Sequence, residues 1–304
     1  MISILIPVYN YDCTILIKAL CSQCVSLRES DNDFDYEIIL GDDCSTDESC
    51  ITALSEIAKL PRCRLLHQDV NIGRAAIRNR LYEISCGDHL LFIDCDAEIV
   101  SDDFVKRYYN ERQNADVICG ALCNPSEKPY GCELRYKYEK EAELAGQRSV
   151  SFRTARPYDM LSTFNIMFRR EVFGSILFDD RCTEYGYEDV LMGIRLKEEG
   201  YSILHTDNAL LHRGINSNSS FLKNTEAGIR ALYRIGEPLL SHSNLANTAL
   251  RLKRWHLMGV FIFFFKLFKS IIRSNLLGRH PSLLLFKVYK LGYLCALMDK
   301  QEDL

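Results

Sequence analysis

A chain of 304 residues, 47% hydrophobic and 26% charged, suits one large α/β domain with an appendage, or two small domains. This balance excludes a disordered or collagen-like chain. Net charge is −4 but unevenly spread: residues 1–237 hold 38 acids against 27 Lys/Arg, whereas residues 238–298 hold nine Lys/Arg and no acid.

From the N-terminus, β-branched runs at Ser3–Val8, Tyr36–Leu40, Arg64–His67, His89–Ile93 and Asp116–Gly120 read as strands. Helical periodicity near 14–27, 47–59, 74–85 and 101–113 separates them. Such alternation predicts a mostly parallel sheet covered on both faces. Beyond Pro125 and Pro129 the rhythm changes. A charged helix over Cys132–Ala145, a strand over Ser162–Phe168, and a helix over Glu188–Glu199 closed by Gly200 follow, then two short strands at Tyr201–Leu204 and Ala209–His212.

The thirteen cysteines form no obvious framework. Their number is odd, and no secretory segment precedes the first strand, so a reducing cytoplasm is the expectation. Cys21 and Cys24 have CxxC spacing, but they fall in one apolar helical pattern with Leu16, Leu20 and Leu27, and read as packing residues.

Ligands of open α/β sheets bind beyond the carboxyl ends of the strands. Three such ends carry Pro7-Val8-Tyr9-Asn10, Asp42-Asp43 and Asp94-Cys95-Asp96. Side chains alternate along an extended segment, so Asp94 and Asp96 need not chelate one ion. One carboxylate can meet a hard divalent cation while the other meets a ribose hydroxyl or water. After Asp43, Ser45 or Thr46 is expected to cap the next helix, with Asp47 and Glu48 in its first turn. Capping leaves the Asp42-Asp43 pair unexplained, and a carboxylate there can accept from a nucleobase imide N–H. Asn71-Ile72-Gly73-Arg74 opens a helix in which Gly73 lets backbone approach a ligand and Arg74 or Arg78 can face phosphate. For Arg74 and Arg80 a solvated basic face is the competing explanation.

Together, Ile4-Leu5-Ile6-Pro7-Val8-Tyr9-Asn10, Asp42-Asp43-Cys44-Ser45-Thr46-Asp47, Asn71-Ile72-Gly73 with Arg78-Asn79, Asp94-Cys95-Asp96 and Glu188-Asp189 resemble the motifs of family 2 glycosyltransferases over about residues 1–215. One departure is Cys44, where glycine is frequent. The resemblance implies a GT-A fold, with a mostly parallel central sheet flanked by helices, and inversion at the anomeric centre. It implies Pro7, Tyr9 and Asp43 in the nucleoside pocket, Asn71 and Arg78 beside the nucleotide, and Asp94 on the ribose side. Asp96 would bind Mn²⁺ or Mg²⁺, with His212 completing the metal shell and His205 its competitor. Asp189 would be the general base, supported by Glu188. The expected division is a catalytic domain over 1–237, with a nucleotide-sugar half (1–120) and an acceptor half (121–237), and a basic amphipathic helical tail over 238–304. The glycine-rich loops of dinucleotide-binding and P-loop proteins are missing from the sequence, which argues against a sugar-nucleotide pyrophosphorylase. The intact acids argue against a degenerate scaffold.

Arg251, Arg254, Lys266, Lys269 and Arg273 share one arc at 100° per residue, amid Trp255 and a phenylalanine cluster. The uninterrupted apolar run, Leu257–Phe265, is short of the ~20 residues a bilayer span takes. An interfacial anchor is expected, each Lys or Arg near an anionic surface contributing about 1 kcal/mol. Arg251-x-x-Arg254-Trp255 resembles the RxxRW signature of processive synthases but lies far downstream of Asp189, so single-sugar transfer is expected. The expected partners are a UDP-sugar, a glycan or lipid-linked acceptor and an anionic membrane surface, with no nucleic acid. The expected location is cytoplasmic, peripheral on the inner membrane face.

Overall fold

A computed structural model describes residues 1–183 and 186–300. Tyr185, which precedes the Glu188-Asp189 helix, and the final four residues of the expected tail lie outside the described residues. Two compact units are present. The first comprises Met1–Pro125, Gly146–Thr183 and Glu188–Gly214; the second comprises Ser126–Ala145, the described part of Glu184–Tyr187, and the described residues from Ile215 onward.

The first unit is an α/β fold around one eight-stranded sheet. Strands β1 (Ile2–Val8), β2 (Tyr36–Asp42), β3 (Cys63–His67) and β4 (His89–Ile93) run parallel in the spatial order β3-β2-β1-β4. Helices α1 (Thr14–Ser30), α2 (Glu48–Ile57) and α3 (Arg74–Ile84) connect them. Ile4, Leu5, Ile6, Ile38, Ile39, Leu40, Leu91 and Phe92 have no solvent exposure, which is why these strands read as continuous apolar runs. Cys24 lies in the core and Cys21 at its boundary, 3.6 Å from the Cys63 sulfur.

Beyond β4 the sheet becomes mixed. β7 (Asn165–Arg169) pairs antiparallel with both β4 and β6 (Val117–Cys123), and β8 (Ile203–His212) runs parallel to β6. β8 is one ten-residue strand where the sequence suggests two, because a register shift opposite Cys119–Ala121 lets it continue through Thr206-Asp207-Asn208. A strand that sequence reading misses, β5 (Ala97–Ile99), closes the edge antiparallel to β8. Its three residues carry too short a period to recognise. Helices α4 (Phe104–Glu111), α6 (Val150–Thr154), α7 (Arg170–Ile176) and α8 (Glu188–Glu198) complete the unit. Gly193 of α8 is required by close approach, since a Cβ there would strike the Tyr158 carbonyl.

The second unit is helical: α5 (Glu133–Leu144), α9 (Asn218–Ile235), α10 (Leu239–His242), α11 (Asn244–Arg254), α12 (Met258–Leu277) and α13 (Leu283–Lys300). Leu134, Phe221, Leu222, Phe265, Ile272, Leu276, Phe286 and Tyr289 form its core. Buried Asn218 joins three elements, accepting from Leu134 N (2.7 Å) and donating to Glu133 (3.0 Å) and the Gly278 carbonyl (3.1 Å). The basic arc expected over 251–273 presumes one straight helix. Instead the chain turns at Trp255–Leu257, with His256 at φ 57°, and α11 and α12 are bent by 117°. Arg251 and Arg254 therefore do not share a helix face with Lys266 and Lys269. No single described helix is long and apolar enough to cross a bilayer.

Candidate active site

The carboxyl ends of β1 and β2 are fastened by one asparagine. Asn10, at φ 49°, accepts through Oδ1 from Thr46 N (2.7 Å) and Asp47 N (3.0 Å), while its own N–H donates to Ser45 Oγ (2.9 Å). Asn10 suits the left-handed region because its short side chain bonds locally. Ser45 is thereby occupied, and α2 is capped by Asp47 instead, which accepts from Cys50 N. Cys44 sits at φ 64°, the conformation that explains why glycine is frequent at this turn. Beside this latch, Pro7 is half-buried and Tyr9 is 50% exposed.

The two adjacent acids divide their work. Buried Asp42 accepts from Ser45 N (3.0 Å) and pairs with His67 at the end of β3 (2.9 Å). Asp43, also buried, takes Ile72 N (2.7 Å) on one oxygen and Gly73 N (2.9 Å) on the other; Asn71 Nδ2 donates to its carbonyl (3.1 Å). Asp43 thus shapes the Asn71–Gly73 loop, and each oxygen keeps acceptor capacity for a further donor. Gly73, at φ 87°, starts α3.

Arg78 is only 2% exposed and donates to Asp94 Oδ1 at 2.5 Å and to the Arg74 carbonyl. Its guanidinium lies over the Phe178 ring, 5.6 Å from the centroid. Arg80 behaves differently, exposed and paired with Glu83, as a solvated helix face should be.

Asp94 and Asp96 point to separate partners. The backbone turns at Asp94, whose carbonyl accepts from Ala97 N, and β5 then pairs Ala97 with His212. That register brings His212 Nε2 to 3.3 Å from Asp96 Oδ2. Burial alone would raise the Asp96 carboxyl, but the His212 hydrogen bond and the His212 and Arg74 charges hold it below the ordinary carboxylate range. His212 packs edge-on against Phe164 at 5.3 Å, and its buried Nδ1 has no hydrogen-bond partner among the described residues. Gly214 completes the cradle, since a Cβ there would fall on the Asp96 carboxylate. Tyr11 belongs to the same neighbourhood: burial and then Asp96 raise its hydroxyl. His205 is elsewhere occupied, its ring nitrogens engaged by Arg153 (3.2 Å) and the Pro157 carbonyl (2.9 Å).

Asp189, at the start of α8, accepts from Thr163 Oγ1 at 2.7 Å. The residue is half-buried overall, but its carboxyl is deep enough that desolvation raises it to about 7, with the Glu188 charge adding to the rise. Thr163 and Arg78 oppose the shift, and Asp94 reinforces it. Arg78 and Asp94 therefore both act on the Asp189 carboxyl. Glu188 is buried, with Oε2 lacking a partner among the described residues. Tyr11, Thr163 and Gly214 are the neighbours sequence reading does not single out. Asn10 stands in the strand-end motif, but its latch role has only the weak signal of an Asn directly after a strand end.

Comparison with known proteins identifies the family and the fold. The model for Glycosyl transferase family 2 matches residues 3–177, more than half of the chain. The chain belongs to that family. Among curated relatives, Glycosyltransferase GlyG of Streptococcus pneumoniae is 26% identical over 202 residues, 62% of this chain and 64% of that protein. The chain thus matches slightly less than two thirds of that relative's length. Among solved structures, a mannosyltransferase from Pyrobaculum calidifontis in complex with GDP-Man and Mn²⁺ aligns with TM-score 0.58 at 12% identity, over 99% of this chain and 87% of that one. Glucosyl-3-phosphoglycerate synthase from Mycobacterium tuberculosis, in complex with Mn²⁺, UDP-glucose and phosphoglyceric acid, aligns with TM-score 0.51 at 19% identity, over 78% and 80%. At these identities the structural likeness establishes the fold, which is GT-A.

Among the described residues no group of three His, Cys, Asp or Glu side chains is assembled as a metal cage. Asp96 and His212 nevertheless fit a hard divalent cation on the protein side. They present a depressed carboxylate and, 3.3 Å from it, the imidazole Nε2, in a cradle kept open by glycine.

Proposed function

We propose that this chain is an inverting glycosyltransferase that moves a sugar from a nucleotide-sugar, a UDP-sugar in our reading, to an acceptor hydroxyl. The observation that carries this is a carboxyl poised near neutrality, Asp189, in the same unit as the Asp96–His212 pair. A carboxylate of ordinary acidity is a weak base toward a hydroxyl, and desolvation strengthens Asp189 for that task at neutral pH.

In this reading Pro7 and Tyr9 pack on the base, and Asp43 offers a lone pair to the imide N–H while holding the Asn71–Gly73 loop. Asp94 takes the ribose side, and Arg78 serves the nucleotide by orienting that carboxylate. Asp96 and His212 hold Mn²⁺ or Mg²⁺, a choice supported by the Mn²⁺ in both structural neighbours; when bound, the cation meets the charge of the departing diphosphate. Asp189 removes the acceptor proton, Thr163 fixes its orientation, and Glu188 supports it. Residues 1–120 supply the donor contacts and residues 121–237 the acceptor side. The acceptor is a growing glycan or a lipid-linked one in cell-surface polysaccharide synthesis. The basic stretch from residue 238 brings the enzyme to the anionic inner face of the cell membrane.

The test is a donor screen that reads UDP release with Mn²⁺, with and without lipid-linked acceptors. Acceptor-stimulated release from one UDP-sugar is the expected outcome. Release from none, by a folded protein that binds UDP, would overturn the transferase reading.

A further inference from the structure

We infer that one face of α12, continued by Trp255 at the α11–α12 turn, is a docking surface for an anionic bilayer, and that α13 is not. This rests on the membrane reading above and narrows it to particular residues. Helix α12 is apolar on two sides. Met258, Ile262, Phe265, Ile272 and Leu276 are buried within the second unit. The roughly opposite side presents Val260, Phe264, Leu267, Phe268 and Ile271, which are 47–67% exposed, at the i, i+4, i+7, i+8, i+11 spacing of one stripe. A helix in water ordinarily turns polar residues outward, so a second apolar stripe marks a partner surface. Trp255, 64% exposed, stands at the turn leading into this helix.

Charge decides the kind of partner. Residues 238–298 carry no acid; exposed Lys266 borders the apolar surface one turn after Phe263, and exposed Arg251 and Arg254 precede Trp255. A bare apolar stripe in an acid-free stretch, with a lysine at its border and arginines beside the aromatic at one end, matches the acyl–headgroup boundary of an anionic leaflet. The stripe runs about 16 Å along a helix of about 30 Å, suited to lying in the interface plane. Three other cations of the tail turn toward its own helices, Lys269 lying over the Tyr293 ring of α13 at 5.8 Å. Arg273 bonds Glu226 at 3.0 Å and the Tyr289 hydroxyl at 3.3 Å. Lys290 lies over Phe286 and Tyr138, where burial and then Lys287 lower its ammonium. Helix α13 packs on α12 so closely that a Cβ at Gly292 would overlap the Phe265 ring.

Trp255 is the single tryptophan of the chain, so its emission reports the docking face in the full-length protein. Phosphatidylglycerol–phosphatidylcholine vesicles should shift that emission to the blue, and phosphatidylcholine vesicles should do so far more weakly. Leu267→Glu, at a 61% exposed position, should fold normally by circular dichroism yet weaken vesicle affinity at least about tenfold, because its carboxylate meets an apolar layer and anionic headgroups. Leu284→Glu, at a 70% exposed position on α13, should bind as wild type. If wild type binds and Leu267→Glu binds equally well, or Leu284→Glu is equally impaired, the α12 face is overturned while the membrane reading survives. If wild type binds neither vesicle, the membrane reading itself fails. If Trp255 emission instead shifts with protein concentration in the absence of lipid, and Leu267→Glu abolishes this, the face belongs to a second copy and the inference is wrong.

Discussion

The two units depart from ordinary surface chemistry in opposite ways. In the first, charged groups lie where water is scarce: Asp42, Asp43 and Arg78 are 2–4% exposed, and Asp189 is desolvated. In the second, large apolar groups lie where water is plentiful, along α12 and at Trp255. Burying a charge costs free energy unless partners offset it, and exposing an apolar stripe forgoes burial. Partners within the chain offset much of the first cost, as His67 does for Asp42 and Asp94 for Arg78. In the proposed function a nucleotide, a cation and an acceptor would supply further partners for the first unit, and a bilayer for the second.

This contrast breaks most sharply at Asp96. Asp96→Ala should lower transfer about 1,000-fold or more, because it removes the carboxylate that faces His212 and, in the proposed function, would hold the cation. Turnover close to wild type in steady-state assays would end the metal reading. Asp189→Asn should lower transfer at least ~100-fold while donor affinity is kept, since Thr163 can still donate to the amide oxygen. A parallel collapse of UDP affinity would make Asp189 structural.

The same variant tests the electrostatics without any substrate. Asp189 is raised in the folded protein, so its protonated form favours folding. That contribution is complete below the unfolded carboxyl range and is lost as pH rises through about 7. Asp189→Asn should therefore melt at a higher temperature than wild type at pH 8, and the gain should vanish toward pH 4. Equal melting temperatures across that range would show that the carboxyl is not desolvated.

Smaller effects sharpen the comparison. Gly214→Ala should weaken Mn²⁺-dependent UDP binding about 10- to 100-fold, as loss of ligand support does, because its methyl displaces the Asp96 carboxylate. Isothermal titration of the folded variant checks this. Gly292→Ala should cost about 1–3 kcal/mol through overpacking against Phe265, lowering the melting temperature by several degrees without changing UDP affinity. A variant as stable as wild type would mean that α12 and α13 are not held at that distance.

Much of the first unit was legible in sequence because its signals are local. β1, β2 and β4 are buried on both faces and read as apolar runs, and the acidic ends of β2 and β4 mark the site, whereas β3 is a partly exposed edge strand. The less legible parts depend on long-range register. Whether His212 or His205 joins Asp96 is decided by the pairing of Ala97 with His212, through a three-residue strand that no periodicity announces. Thr163 reaches Asp189 only once α8 is folded against the strand ends. In the tail, composition revealed the basic, apolar character. The turn at Trp255–Leu257, which splits the basic arc, follows from the positive φ of His256 and has no glycine to signal it.

The most direct test is isothermal titration of the full chain with UDP, with and without Mn²⁺, beside Asp96→Ala. Tight binding that needs Mn²⁺ in wild type and is lost in Asp96→Ala is the expected result. UDP affinity unchanged by removal of Mn²⁺, or retained in Asp96→Ala, would contradict a metal-dependent nucleotide site at the Asp96–His212 pair.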